Sequence, residues 1–251
     1  MGATVAALLS PSAIAQMKAA AFEGPPVRIG QGDARTVVRT DAEGRVASIG
    51  VVFGAAALEG LPKPDAGAHP NFAYLLPMPS DGPPTLVDHV VINWEAAGHP
   101  PPHVYDVPHF DFHFYFVSHA EQQQIAFASP QESGDANQQP PPELMAAGYV
   151  VPPGTAVPQM GVHAVDPKAP EFQGQGFTAT LVYGYYKQRF IFIEPMASLE
   201  FLKSKQSYVA SVPRPAGYSK VGAKTDVFPS LYSVKYDEKK MTHEVMLEGL
   251  K

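Results

Sequence analysis

Histidine and acidic residues concentrate in one short stretch of this 251-residue chain. Six of the nine histidines lie between residues 89 and 119, namely His89, His99, His103, His109, His113 and His119. Imidazole and carboxylate groups are ligands of divalent transition metals, and they also carry protons in acid–base catalysis. The stretch is therefore the first place to look for a functional site.

A β-strand accounts for the residue pattern from 108 to 116. Side chains on a strand alternate between two faces, so the phenyl rings share one face and the polar groups share the other. The first face carries Phe110, Phe112, Phe114 and Phe116, and the second carries His109, Asp111, His113 and Tyr115. Because four aromatic rings must be buried, we predict a central strand of the core whose second face is polar.

That polar face has three possible roles. At about 3.3 Å per residue, neighbouring polar side chains stand about 7 Å apart, and His109 and His113 about 13 Å apart. Neighbours in the row can share one ion, whereas the two histidines cannot, unless a bend after Pro108 or a bulge brings them together. The alternatives are a buried His-Asp-His network without metal and metal-free acid–base chemistry.

A metal bound here needs further ligands from other segments. His163 and Glu194 are the leading candidates, so the predicted site consists of His109, Asp111, His113, His163 and Glu194. A second tier contains His99 and His103, which flank three prolines beside the strand, and Tyr115. The chain has no cysteine, and imidazole and carboxylate ligands suit Zn, Fe, Mn, Ni or Cu without selecting one of them.

The composition indicates many short strands joined by loops. The chain has 27 prolines, 21 glycines and only 17% charged residues, and proline is tolerated mainly at element ends and turns. We predict a mainly β fold, an antiparallel sheet sandwich or barrel with long Pro/Gly-rich loops and one or two short helices. The predicted elements are hairpins at 36–53, 177–194 and 231–247, strands at 89–94 and 108–117, a helix at 197–205 and a loop at 61–84.

The domain prediction is a single β-rich domain over residues 31–251, preceded by an N-terminal segment, residues 1–30. Residues 1–16 contain an apolar stretch and then Ala-Ile-Ala, as at the end of a secretory signal, although no Lys or Arg precedes the stretch. An Ala-rich helix is the alternative. We expect a secreted or periplasmic protein, and a cytoplasmic location stays open.

Charge and hydropathy exclude two classes of partner. The formal net charge is -6 and the basic residues form no patch, so we expect no nucleic-acid binding. No apolar run approaches the roughly 20 residues of a membrane-spanning helix. Low charge favours burial of surface between subunits, so the expected partner is a second copy of the chain, and any small-molecule ligand is unknown.

Residues 98–115, Gly-His-Pro-Pro-Pro-His-Val-Tyr-Asp-Val-Pro-His-Phe-Asp-Phe-His-Phe-Tyr, resemble the signature of an uncharacterised family of secreted bacterial β-proteins. Its structurally known representative is a sigma-E-regulated thermophile protein that forms a ring-shaped homodecamer. Residues 160–172 and 192–196 are also similar to that family, so the resemblance covers about residues 90 to 200. It implies an exported, β-rich, oligomeric protein without an assigned activity.

Three functional hypotheses follow from these observations. The first is a homo-oligomeric β-protein that binds a divalent metal in a binding or structural role. The second is a metal-dependent enzyme, either a hydrolase or lyase that uses metal-bound water or a cupin-like oxygenase. The third is a purely structural, ring-forming assembly in which the His-Asp row is a polar network of the core.

Overall fold

A computed structural model describes residues 19–63, 71–218 and 227–251, and within them the chain folds into two antiparallel sheets of seven strands each. Sheet A contains, in spatial order, β1 (Ala21–Glu23), β3 (Gly32–Thr40), β4 (Val46–Gly54), β14 (Thr242–Glu248), β13 (Leu231–Asp237) and β12 (Tyr208–Ser211), with β2 (Val27–Ile29) also paired to β3. Sheet B contains β5 (Asn71–Pro77), β6 (His89–Glu95), β7 (His109–Tyr115), β11 (Arg189–Ser198), β10 (Ala179–Tyr186), β9 (Gly161–Ala164) and β8 (Ala156–Val157). The predicted mainly β fold is confirmed.

Helical structure is short in the described residues. The α-helices are α1 (His119–Gln122) and α2 (Leu199–Ser204), and 3-10 turns occupy Ala55–Leu58, Pro130–Gly134 and Pro170–Gln173. The side chain of Ser198 caps α2 by accepting a hydrogen bond from the backbone N–H of Phe201, as serine does at many helix starts. The prediction of one or two short helices is confirmed.

Aromatic side chains join the two sheets into a sandwich. Phe53 of sheet A stacks on Phe112 of sheet B, with ring centroids 5.8 Å apart, and lies 6.5 Å from Phe110. Phe110 also packs against Trp94 at 4.7 Å. The phenyl face of β7 therefore lies between the sheets, as its alternation predicts, and forms the centre of the apolar core.

The opposite face of sheet B is also buried, because loops cover it. All seven residues of β6 and all seven of β7 are buried. Tyr105 from the 96–108 loop and Phe177 from the segment before β10 pack over this face. As a result, the polar row of β7 lies inside the protein instead of facing water.

Several sequence predictions are confirmed and two need correction. The hairpins β3–β4, β10–β11 and β13–β14, the strands β6 and β7, and helix α2 are present. The region predicted as a loop at 61–84 contains strand β5, which pairs with β6. Strand β11 continues to Ser198 instead of ending at Glu194, because β7 supplies a pairing partner as far as Ser198.

Residues 1–16 of the N-terminal segment, for which we predict the end of a secretory signal or an Ala-rich helix, lie outside the described residues. Further along, β1 and β2 both pair with β3, so the described end of that segment is part of sheet A. No helix among the described residues is long and apolar enough to cross a membrane.

Candidate metal centre

Strand β7 occupies the position in sheet B where polar side chains from several elements converge. It pairs with β6 on one side and β11 on the other without a shift of register. Cross-strand partners point to the same face of a sheet, so Glu95 of β6 lies beside His109, and Asn93 lies beside Asp111. The polar row of β7 thus becomes the middle of a polar layer.

A first group of three ligands, site 1, consists of His99, His109 and Asp111. The Nε2 atom of His109 is 3.2 Å from Oδ1 of Asp111, and the Nε2 atom of His99 is 3.6 Å from Oδ2. His99 comes from the loop after β6. Gly98 allows that loop to turn, because its φ is +70° and a Cβ atom there would lie 2.2 Å from the carbonyl oxygen of Tyr105.

A second group, site 2, consists of His113, His163 and Glu194. The Nε2 atom of His113 is 3.4 Å from Oε1 of Glu194, and the Nε2 atom of His163 is 3.9 Å from Oε2. The three residues belong to β7, β9 and β11. Site 2 is therefore built entirely on strands, which are rigid supports for a ligand set.

Phe192 packs beside both histidines of site 2. Its ring centroid lies 4.8 Å from that of His113 and 5.4 Å from that of His163. The ring fits because the neighbouring residue on β10 is Gly184, where a Cβ atom would lie 2.0 Å from it. The aromatic ring and the glycine together position the two imidazoles.

Backbone carbonyls determine the tautomer of three histidines. The Nδ1 atoms of His99, His109 and His163 lie 2.7, 2.6 and 2.9 Å from the carbonyl oxygens of Pro100, Val107 and Thr155. A carbonyl only accepts, so each Nδ1 donates and the Nε2 of the neutral ring is left with its lone pair. Metal-bound histidines are typically oriented in this way.

Buried ligand atoms lack hydrogen-bond partners in both sites, as far as the structure describes the chain, and in site 2 both ring nitrogens of His113 do, so no hydrogen bond selects its tautomer. Within the described residues, His109 Nε2, Asp111 Oδ1, His113 Nε2 and Glu194 Oε2 are buried without a hydrogen-bond partner. Although His109 Nε2 and Asp111 Oδ1 are 3.2 Å apart, they are not aligned for a hydrogen bond. Two acceptors at this separation need a cation between them, either a proton or a metal ion.

The spacing of the ligand atoms suits a metal ion. Atoms bound about 2.1 Å from one ion, at angles between 90° and 109°, lie about 3.0–3.4 Å from one another. The four N···O separations run from 3.2 to 3.9 Å. Small side-chain movements would bring each set onto one ion.

Site 1 is suited to positive charge. Burial acts to lower the pKa of His99, but the Asp111 carboxylate outweighs it and raises that pKa to about 9. Burial acts to raise the pKa of Asp111, but the facing rings of His109 and His99 lower it on balance. Without a metal, a proton on His99 supplies the cation that Asp111 needs.

Site 2 favours neutral groups. Burial lowers the pKa of His113 to about 3 and that of His163 to about 4. Burial, followed by the charges of Asp111 and Glu95, raises the pKa of Glu194 well above its usual value. Neutral imidazole is the form that binds metals, and a divalent ion would offset the cost of ionising Glu194.

The five predicted site residues all lie in this layer, but in two groups. His109 and Asp111 belong to site 1, whereas His113, His163 and Glu194 belong to site 2. The division agrees with the expectation that His109 and His113 cannot share an ion on a straight strand.

The second-tier residues separate in the structure. His99 is one of the three residues of site 1. The side chain of His103 is 95% exposed and joins neither group. The hydroxyl of Tyr115 donates to the carbonyl of Gln159, and its ring stacks on His113, so its contacts are those of a packing residue.

Sequence reasoning missed Glu95. This residue is buried, and burial together with the nearby Asp111 raises its pKa to about 7. The predicted strand ended at Trp94. One more residue of the same alternation would have placed Glu95 on the polar face, two positions after Asn93.

A comparison with protein families matches residues 41–94 to a family described as TTHB210-like, hypothetical protein TTHB210. The matched segment contains β4, β5 and most of β6, and it ends before every residue of sites 1 and 2. It supports similarity to an uncharacterised family. Comparisons with curated proteins and with solved structures found no match.

Proposed function

We propose that this protein binds divalent metal ions at sites 1 and 2. One observation carries the proposal: in both sites, imidazole Nε2 atoms face carboxylate oxygens inside the protein, and backbone carbonyls hold the Nδ1 atoms of three of the four rings as donors. Two histidines and one carboxylate per site suit Zn, Fe, Mn, Ni or Cu.

A structural or binding role agrees best with the position of the sites. His99 belongs to a covering loop, and Asp111 and His109 to the strand beneath it, so an ion at site 1 would cross-link the loop to sheet B. A chain without cysteine cannot use disulfides for this purpose. The lining of a cavity of about 670 Å³, which includes Arg45, Leu86 and Lys251, contains no residue of site 1 or site 2, so this cavity does not connect either site to a substrate.

Metal content and thermal stability test the proposal. Protein purified without a histidine tag should carry up to two metal ions per chain by elemental analysis. Chelation should lower the melting temperature, because an ion that binds only the folded state stabilises it by about 4 kcal/mol at a thousand times its Kd. The exposed variant His103→Ala should behave like the wild type.

The contrary outcome is well under one metal per chain together with no shift on chelation. Retention of fold and oligomer by His113→Ala under those conditions would favour a purely structural, ring-forming assembly. The His-Asp row would then be a polar network that needs no metal.

A metal-dependent enzyme is the second candidate, and the three-residue ligand sets favour it. Three protein ligands leave at least one coordination position for water or substrate, and two histidines with one carboxylate are typical of non-haem Fe(II) oxygenases. Co(II)-substituted protein tests this: a change of its visible spectrum on adding azide would reveal an open position. An unchanged spectrum would argue against both hydrolytic and oxygenase chemistry.

Export and homo-oligomerisation belong to the same proposal. The resemblance on residues 98–115 supports both, and the 17% charged residues support homo-oligomerisation. Fractionation of cells that express the full chain should place it outside the cytoplasm, and recovery in the cytoplasmic fraction alone would refute export.

A further inference from the structure

Glu95 is a buried carboxylate that belongs to neither site 1 nor site 2. It is the last residue of β6 and only 6% exposed. Its backbone carbonyl accepts a hydrogen bond from Gly98, but its side chain makes no hydrogen bond or ion pair with the residues that the structure describes. Burying such a group without a compensating charge costs several kcal/mol.

The register of sheet B directs Glu95 towards site 1. Glu95 is the cross-strand partner of His109, and partners of this kind have Cβ atoms about 4.5–5.5 Å apart on one face. The neighbouring positions Trp94 and Ile92 belong to the core between the sheets, which leaves Glu95 on the polar side. The groups whose charges act on it are Asp111, His99 and His109, the members of site 1.

Charge balance explains why two carboxylates lie together here. Asp111 and Glu95 repel each other in a buried environment, and one divalent ion would neutralise both. In this structure the Glu95 carboxylate lies outside the group formed by His99, His109 and Asp111. We infer that it turns towards that group when a divalent cation binds and becomes the fourth protein ligand of site 1, which then holds the cation with two imidazoles and two carboxylates.

This inference rests on the proposed metal binding and makes the two sites different. Site 1 has four protein ligands and no net charge, which is the arrangement of a closed, structural ion. Site 2 has three protein ligands and a net charge of +1 with its ion, so it retains a position for water or an anion. Any chemistry on an external ligand therefore belongs to site 2.

Glu95→Gln tests the assignment, with Glu238→Gln as the control. The amide keeps the size of the side chain but removes the charge, and Glu238 is an exposed residue in the turn after β13. Zinc titrations followed by calorimetry should show that Glu95→Gln weakens one of two sites by more than about 10- to 100-fold, which is the loss that removal of an outer-shell partner of a ligand already causes. The other site, and both sites of Glu238→Gln, should keep the wild-type affinity.

Thermal stability at pH 8 supplies a second readout whose sign is diagnostic. In chelator, Glu95→Gln should melt about 2–4 °C above the wild type, because the buried charge is gone. In excess zinc it should melt below the wild type, because a ligand is missing. A purely structural role of Glu95 would change the melting temperature in the same direction under both conditions.

The outcomes separate the two proposals. If wild-type protein binds no zinc, the proposed function fails. Suppose instead that the wild type binds two zinc ions, that Glu95→Gln keeps both affinities, and that its melting temperature shifts in the same direction in chelator and in zinc. Only the assignment of Glu95 is then overturned. Glu95→Asp, which keeps the charge on a shorter side chain, should bind with intermediate affinity, and it provides the test if the glutamine variant does not fold.

Discussion

Three of the four imidazoles in the two sites are oriented by a hydrogen bond at Nδ1 to a backbone carbonyl. Nδ1 of His109 donates to the Val107 carbonyl and Nδ1 of His163 to the Thr155 carbonyl. These bonds select the tautomer and orient the ring, which would lower the entropic cost of binding an ion. The two rings belong to different sites, so their contributions should be separable.

Single substitutions should therefore remove one site at a time. His109→Ala should abolish binding at site 1 and His163→Ala at site 2, so that each variant binds one zinc ion where the wild type binds two. Competition with a chromophoric chelator measures the stoichiometry, and His103→Ala is the matched control. Loss of both ions from either variant would mean that the two groups act as one centre.

His243 gives the protein a pH-dependent stability that is independent of the sites. It lies between the rings of Phe53 and Tyr236, with centroids 5.1 and 4.7 Å away. Burial, assisted by the charge of Lys205, lowers its pKa from the usual 6.5 to about 4. Below pH 6.5 His243 binds a proton in the unfolded chain, whereas in the folded chain it stays neutral down to about pH 4. The free energy of unfolding therefore falls as the pH decreases from 6.5 to about 4.

His243→Phe keeps an aromatic ring but cannot titrate. Between pH 7 and pH 4.5 its free energy of unfolding should fall by roughly 1–3 kcal/mol less than that of the wild type. Urea unfolding of both proteins in chelator, at several pH values, makes the comparison. Equal losses in the two proteins would show that His243 titrates alike in the folded and unfolded states.

Among the elements, β10 and β11 position site 2 through a single close contact. Phe192 is completely buried, and its ring occupies the space where Gly184 has no side chain. A methyl group at this position must displace the ring, and both histidines of site 2 pack against it. The glycine thus affects the positions of the two histidines without being part of site 2 itself.

Gly184→Ala should therefore lower stability and weaken one site. We expect a loss of about 1–3 kcal/mol from overpacking, and a zinc affinity that falls at site 2 but not at site 1. Calorimetric titration and urea unfolding measure the two effects. The control is Gly134→Ala, since a Cβ atom at that position meets nothing within 4 Å; an equal change in both variants would contradict the argument.

Local spacing predicted some of these elements and could not predict others. The alternation in residues 108–116 was sufficient to place the histidines and phenylalanines of β7 on opposite faces, because that depends only on the geometry of one strand. The grouping of His163 and Glu194 with His113 depends on the register of three strands from distant parts of the chain. Glu95 depends in the same way on the pairing of β6 with β7.

At the scale of the whole molecule, the outer faces of the two sheets differ in their exposure to solvent. The outer face of sheet A carries ion pairs such as Arg39–Glu244 and Lys235–Glu248, whereas loops bury the outer face of sheet B. A charged face is stable in contact with water. On a face of histidines and carboxylates, exclusion of water would strengthen the attraction between the ligand atoms and an ion. The proline-rich loop at residues 96–108 is part of the cover that buries this face.

The proposed self-association is tested on the whole molecule. Val209 on the edge strand β12 and Leu231 on its neighbour β13 remain 51% and 39% exposed. Large exposed apolar side chains near a sheet edge favour association. Light scattering after size-exclusion chromatography should give a mass that is a multiple of 26.9 kDa. A mass of one chain at micromolar concentration would refute the oligomer.

The strict alternation of β7 also controls how the strand can pair while the protein folds. A slip of one residue against β6 or β11 would exchange the two faces of β7. The imidazoles and the carboxylate would then enter the apolar core between the sheets, and the phenyl rings would enter the polar layer. Both changes raise the free energy of the mispaired form, the first by burying polar groups in the core and the second by removing phenyl rings from it. The strand that supplies three of the six residues of sites 1 and 2 would therefore also disfavour wrong registers during the assembly of sheet B.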